Sequence, residues 1–320
     1  MRALLVHNPY SRKRLKTKEI DYIKKELSVE YTTDIFETTG RGSIKEYVSI
    51  HASSYDLVIA AGGDGTIHEA SIGILNSEKK PTLAIIPRGT MNDVARCYKM
   101  PKSLKKCLRI IKKGNSIERN AYRINDNYFL YGLAIGRYTS VSYRADKKKE
   151  LGRLAYYFAC IKDFFKSKAT NLNINGNNLK ISQAFIIDNK YMAGYPIDAI
   201  SDDWIHLKYI PTKNRFIDTF KFLFFLLSKA KRHSNEITGE DIKIEGKNIC
   251  FTLDGERYIT SHATINKTAQ TIIKNAMIWR QNHLEVREFL RLLGIFSFYL
   301  AFYLPYAIYY TIKKSSHLSG

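Results

Sequence analysis

Three short segments hold most of the chain's capacity for chemistry: Gly62-Gly63-Asp64-Gly65-Thr66, Pro87-Arg88-Gly89-Thr90-Met91-Asn92-Asp93 and Asp254-Gly255-Glu256. The first follows the mostly apolar run Tyr55-Asp56-Leu57-Val58-Ile59 and precedes the helical pattern Ile67-His68-Glu69-Ala70-Ser71-Ile72. Glycines allow backbone N–H groups to approach an anion with no Cβ in the way, and the dipole of the following helix points at the same place. A phosphate-wrapping turn is the reading that follows. The second segment brings a glycine, a hydroxyl and two Asx side chains to another helix start. They suit phosphate oxygens and a metal-bound water, or an N-cap with local Asx bonding. The third sets two carboxylates around a glycine at a strand end. That pairing suits a general base with a neighbour that orients it or a metal, although a tight turn has the same composition. A fourth stretch, Ala199-Ile200-Ser201-Asp202-Asp203-Trp204, places adjacent carboxylates between strands, as a solvated hairpin or a hard-cation site completed by backbone carbonyls.

These segments need elements to hold them. Arg2–Val6, Tyr31–Phe36, the run before Gly62 and Leu83–Pro87 read as strands, with helical stretches between them through about Leu27, from about Ser43 to Ala52 and to about Leu75. Such alternation predicts a parallel sheet with helices on both faces, whose ligands bind at the carboxyl ends of the strands. After about Asn120 the texture turns to short apolar or alternating runs with Asn, Gly and Asp punctuation, at Ile124–Phe129, Tyr131–Ile135, Leu172–Ile174, Ala184–Ile187, Ile205–Ile210, Ile242–Ile244 and Ile249–Leu253. A largely antiparallel second domain follows, interrupted by helices over Arg153–Lys166 and Arg215–Lys229. The expected division is an α/β nucleotide domain over 1–119, completed by about 264–283, a β-rich substrate domain over 120–263, and a tail over 284–320.

The chain has 320 residues, 45% of them hydrophobic, enough for two globular domains. Its formal charge of +21 calls for an anionic partner. Zinc-finger spacing, RNP-like aromatic strings and basic heptad helices are absent from the sequence, which points away from nucleic acid. The cysteines Cys97, Cys107, Cys160 and Cys250 are scattered and fit a reducing cytosolic setting as small core residues. Leu292–Ile312 carries no charged residue and is flanked by Arg287, Arg291, Lys313 and Lys314. About 20 apolar residues can cross a bilayer. Five tyrosines and the kinking Pro305 favour instead an in-plane or re-entrant hydrophobic helix embedded from the cytoplasmic side, over a clean span or a buried core helix.

GGDGT at Gly62–Thr66, PxGTxND at Pro87–Asp93 and DGE at Asp254–Glu256, in this order, resemble the diacylglycerol kinase catalytic family, which includes bacterial soluble-type lipid kinases and sphingosine kinases. The resemblance runs from Arg2 to about Ala276 and takes in Asn8-Pro9-x-Ser11 and the Leu151–Tyr156 stretch. It implies an N-terminal α/β nucleotide domain, a C-terminal β-sandwich-like domain and an active site in the cleft between them. It further implies ATP held by Asn8, Pro9, Tyr10, Ser11, Arg12, Thr38, Gly62, Gly63, Asp64, Gly65, Thr66, Ile67, His68 and Thr90, with Asn92 and Asp93 at the same turn. Mg²⁺ on the phosphates would be organised by Asp64, and Glu256, with Asp254 beside it, would take the proton of a lipid hydroxyl. A structural Mg²⁺ would sit on Asp202 with carbonyls of Ala199 and Trp204. The sequence departs from the family at Asp203, where glycine is frequent, at Asn120, where an aspartate supports the metal network, and at Arg12, often glycine. GGDGT is shared with NAD kinases, so NAD is an alternative acceptor; a membrane-bound nucleotide or lipid sensor without turnover is the non-catalytic alternative. The expected partners are a membrane lipid substrate and an anionic membrane surface at the cytoplasmic face, no nucleic acid, and a compatible homodimer.

Overall fold

The computed structural model describes residues 1–11, 13–90, 92–113, 115–137, 168–188, 191–192, 195–197 and 203–274. Arg12, Ala199, Asp202, the expected helix over 153–166 and the apolar tail lie outside the described residues. Among the described residues no helix is long and apolar enough to cross a membrane.

The strands β1 (Arg2–His7), β2 (Thr32–Glu37), β3 (Leu57–Gly62) and β4 (Thr82–Pro87) pair in parallel in the order β2-β1-β3-β4, and they alternate with helices α1 (Thr17–Leu27), α2 (Ser43–His51) and α3 (Asp64–Asn76). β3 is buried along its whole length and β1 is buried from Ala3 onward, as strands covered on both faces must be. α1 packs with the later α5 (Leu104–Lys112), and α2 packs with α3. The chain steps from β1 to β2 and then reverses past β1 to β3. That reversal is the topological switch point, and its crevice opens at the carboxyl ends of β1 and β3. His7 and Gly62 stand there.

The β-rich half continues the same 13-stranded sheet. It comprises β5 (Ser116–Ile124), β6 (Asn127–Phe129), β7 (Gly132–Gly136), β8 (Thr170–Ile174), β9 (Asn177–Ile187), β12 (Ile205–Pro211), β13 (Asn235–Gly239), β14 (Asp241–Leu253) and β15 (Glu256–Lys274). A separate two-stranded piece joins β10 (Tyr191–Met192) to β11 (Tyr195–Pro196). Antiparallel pairing links β7 to β9, β9 to β8, β8 to β14 and β14 back to β7, closing a ring around Phe129, Ile135, Ile181, Ile244 and Phe251. Only the far end of β15 reaches the parallel sheet, where Ile273 pairs with Leu83 and joins the first core. Helix α4 (Asp93–Cys97) follows β4, and α6 (Arg215–Leu227) starts at Asn214, whose side chain accepts the Ile217 N–H at 2.9 Å.

His7 carries a cost that pH reveals. Its ring is 4% exposed and its Nδ1 has no partner. Burial holds its pKa below the ordinary 6.5, with Glu37 opposing. Below 6.5 the unfolded chain therefore binds a proton that the folded chain resists. The stability is present above that value and lost as pH falls toward the depressed one. His7→Leu is expected to flatten the fall in urea midpoint between about pH 7 and pH 5.5; a fall as steep as in the wild type would refute this reading of His7.

Candidate active site

The first two motifs meet at the ends of β3 and β4. Arg88 N–H donates to Gly62 O at 2.7 Å, and the backbones of Gly63 and Gly89 lie face to face. A Cβ on Gly89 would lie 2.4 Å from Gly63 Cα, and one on Gly62 would lie 2.3 Å from Thr66 Oγ1. Glycine is thus required at these positions by close approach. Asn92, at φ +54°, clamps Gly89 from both sides: Gly89 N–H donates to its Oδ1 and its Nδ2 donates to Gly89 O, each at 2.8 Å. Asp64, the first residue of α3, accepts the Val94 N–H at 3.1 Å together with backbone N–H groups of Asp93 and Asn92. Burial pushes its carboxyl above the ordinary aspartate value, and those N–H donors oppose the shift. Asp64 and Asn92 therefore shape the two turns. Thr90 is half-buried in the second turn, and Asp93 is buried with Arg96 3.8 Å away.

At the switch point, Asn8 Oδ1 accepts the Tyr10 N–H at 2.8 Å and Asn8 O accepts the Ser11 N–H at 3.2 Å, a compact Asx turn after β1. Pro9 lies within it, Tyr10 is 73% exposed, and the buried Ser11 Oγ has no partner. Thr38 donates to Gly40 O at 2.7 Å and contacts Ser43 Oγ at 2.6 Å, fixing the loop from β2 to α2. Ile67 differs from expectation. Its side chain is in the first core and its N–H is taken by Gly63 O, so it supports the turn from behind.

The third motif faces these turns. Asp254 and Gly255, at φ +50° and +96°, form the two-residue link between β14 and β15. Asp254 is 3% exposed, and its carboxylate is saturated. Oδ1 accepts Tyr131 N–H and Gly132 N–H, each at 3.0 Å; Oδ2 accepts Leu130 N–H at 2.8 Å and lies 2.9 Å from His68 Nδ1. The Tyr131 hydroxyl donates to Asp254 O at 2.6 Å. Asp254 is a positioning residue that ties the hairpin to β7 and to α3. Glu256 alone of the two carboxylates reaches the phosphate turn: its Oε1 lies 3.5 Å from where a Cβ on Gly65 would stand. Its Oε2 pairs with the Arg41 guanidinium. Sequence reading missed Arg41. The pair joins positions 215 apart in sequence, and only the adjacent Gly40 and Gly42 marked that loop as special.

Replacing Asp254 by Asn tests this role. Asn keeps the shape and tolerates the positive φ, but its amide must turn a donor toward at least one of the three backbone N–H groups. A loss of about 1–3 kcal/mol is expected in urea unfolding. A change below about 0.5 kcal/mol would show that the carboxylate does not hold the hairpin.

Of the expected metal set only Trp204 is described; it is 50% exposed just before β12. Among the described residues no group of three or more His, Cys, Asp or Glu side chains could hold a metal ion. Asn120 sits on β5 opposite Gln270 of β15.

Residues 2–124 match the family model described as the diacylglycerol kinase catalytic domain. The diacylglycerol kinases of Staphylococcus aureus strains JH9 and Newman are 34% identical over 178 residues, which cover 54% of this chain and 56% of each relative. The chain thus matches little more than half the length of these curated relatives. Its fold is similar to a diacylglycerol kinase crystal structure from Bacillus anthracis strain Sterne, with TM-score 0.69 at 22% identity over 86% of this chain and 97% of that one. Residues 2–124, which carry both glycine turns, are thus the part of the chain that is similar to the diacylglycerol kinase catalytic domain.

Proposed function

We propose that the chain is an ATP-dependent lipid kinase that transfers the γ-phosphate to a hydroxyl of a membrane lipid, diacylglycerol being the first candidate. One observation carries this reading: a half-exposed carboxylate, Glu256, stands over Gly65 at the start of α3, beside a glycine-rich turn at a helix N-terminus, the kind of backbone that binds phosphate. The nucleotide would enter the crevice at the end of β1, where the buried Ser11 Oγ has no hydrogen-bond partner and awaits a polar one. Mg²⁺ carried with the nucleotide would be held near Asp64 and supply charge neutralisation to the transferring phosphoryl group.

The chain's own residues have distinct tasks. Backbone N–H groups at Gly63–Thr66 orient the phosphates in line with the acceptor. Glu256 accepts the hydroxyl proton, and Asp254, through Leu130, Tyr131, Gly132 and His68, holds it at the required place. Arg41, at the cleft mouth, balances the charge of Glu256. The +21 charge supports work at the anionic cytoplasmic face of a membrane. The test is incubation of the full chain with labelled ATP and Mg²⁺ against a total lipid extract, with diacylglycerol vesicles and NAD in parallel. Label in a lipid product is the expected result. Label in NAD alone, or in neither, would overturn the proposal.

A further inference from the structure

Phosphoryl transfer needs positive charge around the group in transit, and the two glycine turns bring little of their own. The Gly62–Thr66 turn offers backbone N–H groups and no Lys or Arg. Near the second turn, Arg88 pairs with Glu19 at 2.7 Å and Arg96 lies 3.8 Å from Asp93. His68 stands 2.9 Å from the Asp254 carboxylate. Arg41 differs from all of these. It comes from the loop between β2 and α2, and its guanidinium pairs with Glu256, the carboxylate that stands over Gly65. A single side chain therefore separates Arg41 from the first turn of α3, where the phosphates would lie.

The loop fixes the Arg41 backbone and leaves most of its side chain in solvent. On one side Thr38 donates to Gly40 O at 2.7 Å and contacts Ser43 Oγ at 2.6 Å. On the other, Gly42 N–H donates to Glu69 Oε1 at 2.9 Å, which ties the residue beside Arg41 to the helix that carries Gly65. Nothing lies within 4 Å of a Cβ on Gly40 or Gly42, so the chain on both sides of Arg41 has open space. The Arg41 side chain is 69% exposed. An ion pair so exposed contributes less than about 1 kcal/mol. A guanidinium fork on phosphate oxygens makes the stronger, charge-assisted kind of hydrogen bond, and it does so bidentately. A triphosphate held at Gly63–Thr66 would therefore outcompete Glu256 for Arg41.

We propose that Arg41 is a catalytic residue that passes from Glu256 to the γ-phosphoryl oxygens when the nucleotide binds. The exchange acts on the transfer in two ways. It frees Glu256 Oε2, so that the carboxylate accepts the proton of the acceptor hydroxyl as the hydroxyl oxygen forms its bond to the γ-phosphorus. The bond from the γ-phosphorus to the β,γ-bridging oxygen breaks, and its electron pair leaves with ADP. Arg41 meanwhile neutralises charge on the equatorial oxygens of the group in transit. In the empty cleft the same side chain keeps the base paired. This inference rests on the kinase reading of the cleft, but its nucleotide contact is measurable with no acceptor present.

The experiment measures Kd for ATP and for ADP, each with Mg²⁺, on the full chain by equilibrium dialysis, beside rates of phosphate transfer on diacylglycerol vesicles. Arg41→Gln is expected to weaken ATP about tenfold relative to ADP and to lower kcat about 10²-fold. Its thermal transition should match the wild type, because the side chain is exposed. Arg41→Lys keeps the charge without the fork and should recover part of both losses. The Glu256→Gln background separates the two roles of Arg41. There Arg41→Gln should still weaken ATP relative to ADP, whereas a residue that only balances Glu256 would show no such loss. Equal weakening of ATP and ADP, unchanged binding of both, or a loss that vanishes in the Glu256→Gln background would overturn the proposal. Intact lipid phosphorylation with an ATP preference untouched by Arg41→Gln defeats this inference alone. An Arg41-dependent preference for ATP with no label in any lipid defeats the lipid-kinase reading alone.

Discussion

Glu256→Gln is expected to lower kcat for lipid phosphorylation by about 10³-fold while leaving ATP affinity and thermal stability near those of the wild type. The substitution is isosteric and removes only the ability to accept a proton. Its structural cost is limited to the ion pair with Arg41, whose side chains are 32% and 69% exposed for Glu256 and Arg41; a pair so exposed contributes less than about 1 kcal/mol. The hairpin that carries it stays in place, because Asp254 and not Glu256 makes the bonds to Leu130, Tyr131, Gly132 and His68. Activity and stability therefore separate at adjacent positions: Asn at 254 should be felt first in unfolding, Gln at 256 first in turnover. Rates of labelled phosphate transfer on diacylglycerol vesicles, with nucleotide binding measured on the same samples, decide the matter. A Gln variant that turns over within a few-fold of the wild type would remove Glu256 as the base.

The division of labour between these carboxylates marks how far the sequence could be read. β1, β3 and β4 were legible because parallel strands covered on both faces must be apolar throughout, and the glycine turns were legible because each follows such a run. Arg215–Lys229 likewise reads as the helix observed over Arg215–Leu227. β15 was not legible as one strand of 19 residues. It passes from the second core to the edge of the first, so no single face stays apolar and polar residues such as Thr260, His262 and Lys267 break the alternation. The edge strand β13 is mostly exposed and offers no hydrophobic pattern. In the site, residue type pointed to both Asp254 and Glu256, but only three-dimensional placement shows that the donors saturating Asp254 come from residues more than a hundred positions away. Ile67 could have been assigned to the core from spacing alone, since Ile67, Ala70 and Ile74 repeat at helical intervals and all are buried.

Gly89→Ala is expected to be strongly damaging, because the two glycine turns touch through backbone. The added Cβ would lie 2.4 Å from Gly63 Cα and 2.9 Å from Asn92 Oδ1. Neither neighbour can yield cheaply. Gly63 follows a fully buried strand whose last carbonyl, on Gly62, accepts the Arg88 N–H at 2.7 Å, and Asn92 is bonded to Gly89 on both sides. Relief requires the ends of β3 and β4 to part, which strains a close-packed core and opens the crevice that the phosphates would occupy. A loss of about 3 kcal/mol, roughly 10 °C in Tm, is expected together with weakened nucleotide binding. Gly40→Ala is the matched control: nothing lies within 4 Å of a Cβ there, so its effect should stay within about 0.5 kcal/mol. If the two variants unfold at the same urea concentration, the contact between the turns is not what fixes their geometry, and the phosphate cradle must be held from the helix side, through Asp64 and the start of α4.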